Sequence, residues 1–181
     1  MKRALAVLLA TGAAVGLTTT AEATPVRALP GTSCTAFPAD NVWHADIRSL
    51  PVNARSAAWL SHMAPGGRLH PDFGPSYGEQ PAPYGIPVTV VSGKHARVRV
   101  GFTYADESDR VRYPLGRDTK VEGGQFRSGD RHAIVVDRTH CRLYETWATR
   151  KTSSGWKAGS GAVWNLRSNA LRPAGRTSVR P

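Results

Sequence analysis

Between Ala96 and Tyr104 every second residue is large and apolar. Val98, Val100, Phe102 and Tyr104 alternate with Arg97, Arg99, Gly101 and Thr103. A period of two puts the two sets on opposite faces of a strand. One face must then be covered, so the chain needs a second layer. Ile86 to Ser92 is a second β-rich run. His132 to Asp137 is continuously apolar, the pattern of a strand buried on both faces. Cys141 to Ala148 alternates again, with Cys141, Leu143, Glu145 and Trp147 on one face. Asp137 to His140 is expected to be the hairpin turn before it, and Ala162 to Leu166 a short last strand. One helix is expected, over Asn53 to Met63. Asn53 caps it, Ala57, Ala58, Leu60 and Met63 supply its apolar contacts, and Gly66-Gly67 ends it. Residues 65 to 85 hold five Pro and five Gly residues, a long structured loop of the kind that often carries function. The expected fold is α+β and β-dominated. It is an antiparallel sheet or sandwich-like domain with one short helix and long Gly/Pro-rich loops.

The N-terminus reads as an export signal. Met1-Lys2-Arg3 is basic, Ala4 to Leu17 is uncharged and apolar, and Ala21-Glu22-Ala23 is small-x-small. The apolar run is short of the roughly 20 residues a membrane span needs. The expected organisation is a signal peptide over 1–23, a lead-in over 24–36, a β-rich domain over 37–166 and a basic tail over 167–181. Export implies an oxidising compartment, where an isolated pair of cysteines bonds. The chain has two, Cys34 and Cys141, and their bridge would close a long loop.

The formal net charge is +11 and unevenly placed. Residues 138–181 hold nine basic residues and one acidic residue. Such an end can meet an anionic wall polymer, a membrane surface or nucleic acid. It can also be simple composition, because Arg outnumbers Lys 19 to 5. No aromatic-interleaved basic stripe or nucleic-acid motif accompanies it. The partner expected is a polysaccharide or anionic cell-wall polymer, met by a secreted monomer that binds no nucleic acid and spans no membrane.

Three polar clusters are candidate sites. His70 and Asp72, two apart and fixed by Pro71, can ligate a metal or transfer protons. They can equally form a rigid turn. In Asp106-Glu107-Ser108-Asp109, three carboxylates within four residues repel unless solvated, cation-bound or paired with Arg. That is a calcium loop, a catalytic carboxylate pair, or a solvated turn with Arg110 and Arg112 as partners. It lacks EF-hand spacing. Asp130-Arg131-His132 enters a buried strand, where His132 can act as a base or a ligand. Alternatively, Asp130 and Arg131 pair at the surface and His132 is a satisfied strand-edge residue. Glu145, among core residues, must pair with a cation or be protonated, and Arg131 is a sensible partner. No nucleophile elbow, zinc-protease helix, phosphate loop or dinucleotide fingerprint occurs, so no cofactor is expected beyond Ca²⁺.

Together, Phe37-Pro-Ala-Asp-Asn-Val-Trp43, Leu69-His-Pro-Asp-Phe-Gly74, Tyr104-Ala-Asp-Glu-Ser-Asp109, Gly129-Asp-Arg-His132 and Ser168-Asn-Ala-Leu-Arg-Pro-Ala-Gly175 form a specific set. The chain resembles an uncharacterised family of secreted proteins from actinobacteria, other soil bacteria and some fungi. That family has no established activity, so the resemblance transfers no catalytic role. It implies export, a β-rich fold and prominence for His70, Asp72, Asp106, Asp109, Asp130, Arg131 and His132. Members of the family continue well past the stretch matching Ala174–Ser178, which implies C-terminal truncation here. The leading expectation is an extracellular carbohydrate- or cell-wall-directed enzyme using these Asp and His residues. The alternative is a secreted binding or surface module, Ca²⁺-stabilised or not, or a truncated fragment without function.

Overall fold

The computed structural model describes residues 26–63, 66–67, 85–124 and 128–176. The signal-like segment and the His70/Asp72 loop lie outside them. The described residues form a β-dominated α+β fold of two facing sheets. Val88–Val91 (β1), Ala133–Asp137 (β3), Arg142–Trp147 (β4) and Ser160–Asn165 (β7) form one sheet in the order β1-β3-β4-β7. Val100–Phe102 (β2), Gly155–Ala158 (β6) and Arg150–Thr152 (β5) form the other in the order β2-β6-β5.

Both sheets are mixed rather than antiparallel. β1 pairs parallel to β3, and β2 parallel to β6. The chain leaves β1, crosses to the second sheet through β2, and returns to β3. A return of that length permits parallel pairing, which a tight hairpin cannot make. The β3–β4 and β4–β7 pairs are antiparallel.

The period-two signal around Val98–Phe102 marks the facing layer. Val91, Val135 and Tyr144 from the first sheet meet Tyr113 and Leu115, with Val98, Val100, Phe102 and Trp156 packed against them. Tyr113 is fully buried and touches both Phe102 and Tyr144 edge-on, at 5.4 and 5.6 Å between centroids. Gly161 makes this approach possible. A Cβ there would lie 2.7 Å from the Phe102 ring and 2.8 Å from the Tyr113 hydroxyl.

The other face of the first sheet is covered by the lead-in. Pro30-Gly31 turns the chain back on itself, with Gly31 at φ +75° and the Thr32 amide bonded to the Leu29 carbonyl. Cys34 then bonds to Cys141, with 5.4 Å between Cα atoms. Cys34, Cys141, Val136 and Leu166 form a second small core with Leu29, Phe37 and Leu143. β3 is therefore buried on both faces, as its unbroken apolar run requires.

The helix is shorter than its sequence pattern. It spans Ser56–Ser61 (α1), and none of its residues is buried. Asn53 accepts the Arg55 amide rather than capping at the expected place. Trp59, Leu60 and Met63 are exposed by half or more.

Candidate functional site

Asp109, one of the expected catalytic carboxylates, is occupied. One oxygen takes the Val163 amide at 2.8 Å and Arg172 Nε at 3.1 Å. The other takes an Arg176 Nη at 2.9 Å. Ser108 completes the joint, donating to the Tyr104 carbonyl and accepting the Gly161 amide. The acidic run thus pins the turn after β2 to β7. The segment expected as a basic tail is held down at Arg172 and Arg176. Asp106 points to solvent. Among the described residues no three His, Cys, Asp or Glu side chains come together as metal ligands, so the calcium-loop alternative finds no ligand set there.

Asp130 and Arg131 do not pair at the surface. Arg131 adopts φ +54°, a left-handed conformation uncommon outside glycine, which turns its side chain inward. It is 4 % exposed and donates to the Gly124 and Thr149 carbonyls at 3.0 Å. Burial and then the neighbouring Arg150 charge lower its pKa. Asp130 stays exposed, and its nearer oxygen is 4.0 Å from His132 Nε2. The His132 amide donates to a Glu122 carboxylate oxygen, and its carbonyl accepts the Glu122 amide.

Glu145 is not partnered by Arg131 as expected. Burial raises its pKa, against a smaller opposing influence from Trp164 and Arg172. The Trp164 indole N–H approaches it without reaching hydrogen-bond geometry.

Asp137 is the carboxylate that sequence reasoning missed, being taken as the end of a strand and the start of its hairpin turn rather than as a charged centre. It is 1 % exposed. One oxygen accepts the Thr139 and His140 amides; the other accepts Arg97 at 2.9 Å and His140 Nδ1 at 2.8 Å. Burial pushes its pKa up, but the hydrogen bonds from His140 and Thr139 prevail and hold it below the usual carboxylate range. A depressed native pKa stabilises the fold fully above the unfolded value and loses that contribution as pH falls toward the native one. Asp137→Asn is therefore expected to be less stable than wild type above about pH 4, with the gap closing at lower pH. Urea denaturation across that range measures it, and a gap that is constant with pH would contradict this account.

The cavities lie elsewhere. Asp106, Asp130 and His132 line none of three surface cavities; Asp109 lines one and Arg131 another. The cavity at Asp109 is about 470 Å³ and rich in arginine, but Arg97, Arg172 and Arg176 are engaged there by Asp137 and Asp109. The cavity above Arg131 is different. It is about 450 Å³, and its charged lining among the described residues is Arg117, Arg131, Arg150 and Lys151, with no Asp or Glu. Trp156 forms part of its wall, with Lys151 Nζ 5.9 Å from the ring centroid. β5 brings Arg150 and Lys151 to the rim because all three of its residues are exposed. Arg117 comes from the loop before β3. No sequence pattern marks these residues, because Arg150–Thr152 is exposed throughout and carries no apolar alternation.

No family model, curated protein or solved structure matches the chain.

Proposed function

We propose that this protein is an exported binding module that holds an anionic extracellular polymer, an acidic polysaccharide or a phosphate-bearing wall polymer, in the cleft above Arg131. The observation that carries this reading is the cleft's one-sided charge. Four cationic side chains line it, and no described acidic residue offsets them. Like charges gathered in a concave site raise its potential and attract a polyanion. Carbonyl acceptors orient the Arg131 guanidinium from below, and Arg117, Arg150 and Lys151 face solvent. The export-type N-terminus and the disulfide support an extracellular setting. No helix among the described residues is long and apolar enough to cross a membrane. Binding is preferred to hydrolysis because Asp109 is spent on three structural donors, Asp106, Asp130 and His132 line none of the three cavities, and Arg131, which lines the cleft, is a cation rather than a base.

The test is biolayer interferometry with polygalacturonate and poly(glycerol phosphate), from about 50 to about 300 mM NaCl. Binding of at least one polymer is expected, weakening as salt rises. Arg150→Glu/Lys151→Glu should reduce it by at least about tenfold. Binding of neither polymer, or equal binding by the double variant, would overturn the reading.

A further inference from the structure

Beside the basic cleft lies a second, shallower cavity of about 280 Å³, and Arg150 lines both. Its walls are Tyr104 and Trp147, with Lys157 at the rim. The two rings lie 6.2 Å apart between centroids and are tilted by 32°. One glycine sets them side by side. The Gly159 amide donates to the Trp147 carbonyl at 2.7 Å, and the Gly159 carbonyl accepts the Tyr104 amide at 2.8 Å. A Cβ on Gly159 would lie 2.3 Å from Trp147 Cε3, so the indole rests directly on the glycine backbone. The Trp147 Nε1 has no hydrogen-bond partner among the described residues. Packing alone therefore positions this ring.

We infer that the ligand of the basic cleft is an acidic polysaccharide, one of whose sugar rings stacks on the Tyr104–Trp147 shelf while Arg150 binds its anionic group. This rests on the binding reading above and names its ligand class. An aromatic face carries negative quadrupole density and meets the apolar, C–H-bearing face of a sugar. A carboxylate on the same ring then meets a guanidinium, which binds carboxylates through paired donors. A phosphate polymer without rings uses the cations and leaves the shelf empty. Apolar walls with a few placed polar groups are the usual make-up of a small-molecule subsite.

The experiment compares wild type, Trp147→Ala, Gly159→Ala and Arg150→Ser on polygalacturonate, poly(glycerol phosphate) and a single-stranded oligothymidylate. Thermal melts restrict the comparison to folded variants. Trp147→Ala is expected to weaken polygalacturonate binding by roughly tenfold and to leave poly(glycerol phosphate) within about twofold. Gly159→Ala, which displaces the indole without touching a charge, should act the same way if Trp147→Ala fails to fold. Arg150→Ser should weaken both. Equal effects of Trp147→Ala on both polymers would overturn the shelf while leaving the basic cleft standing. Tighter binding of the oligothymidylate than of polygalacturonate would overturn the ligand class. Loss of all polymer binding in wild type would instead remove the underlying reading.

Discussion

Reducing the Cys34–Cys141 bridge, or replacing both residues by Ser, is expected to lower the melting temperature by roughly 5–15 °C, equivalent to about 2–5 kcal/mol. The bridge spans 107 residues of sequence, so without it the unfolded chain gains a large loop-closure entropy. The native side loses as well. Cys34 and Cys141 are 2 % and 3 % exposed and form half of the small core that joins the lead-in to the sheet. Cys141 also sits at φ +50° at the end of the β3–β4 turn, a conformation uncommon for a residue with a Cβ. With the tether gone, Phe37 should leave its edge-on contact with Trp164. Scanning calorimetry with and without reductant gives the answer, and an unchanged melting temperature after verified reduction would refute it.

Asp109→Asn should destabilise the fold by about 2–4 kcal/mol, whereas Asp106→Asn should stay within about 0.5 kcal/mol of wild type. The two residues are three apart in sequence and belong to one acidic run. They differ in what they hold. The Asp109 carboxylate accepts a β7 amide and two guanidinium groups. Arg172 additionally reaches the Glu107 carbonyl and lies 5.8 Å from the centre of the Trp164 ring. An amide in place of the carboxylate removes the charge and turns N–H donors toward donors. The segment carrying Arg167, Arg172 and Arg176 should then be cut sooner by trypsin. Urea denaturation with timed proteolysis tests both halves. Equal behaviour of the two variants would show that Asp109 is not a clamp.

The legibility of the chain follows the physics of each segment. β3 and β4 were readable because burial imposes a local period, continuous in one and alternating in the other. β1 and β7 were readable as short apolar runs. The β5–β6 hairpin was not, because Arg150–Thr152 is exposed throughout and has no apolar alternation to detect. Tyr113 and Leu115 lie at the centre of the core, yet they stand in a loop without periodicity. The helix pattern promised a packed face, but α1 has no buried residue. The sheets were expected to be antiparallel, yet β1 and β2 each gain a parallel partner. Strand direction is set by where the chain returns after a crossover, and no short window of sequence records that.

The sequence alone determined that two cysteines had one bridge to make, that a half-buried sheet needed a facing layer, and that the chain's last quarter was strongly basic. These are local or arithmetic properties, each carried by a residue's own neighbours or by a count. Tertiary structure decided which charges cancel and which gather. Arg172 and Arg176 fold back onto Asp109, and Arg97 onto Asp137. Arg117, Arg131, Arg150 and Lys151 converge on one cleft from three separated segments. Electrostatic grouping depends on distances in space, and those are set by strand register and loop path. The cleft therefore has no signature along the chain.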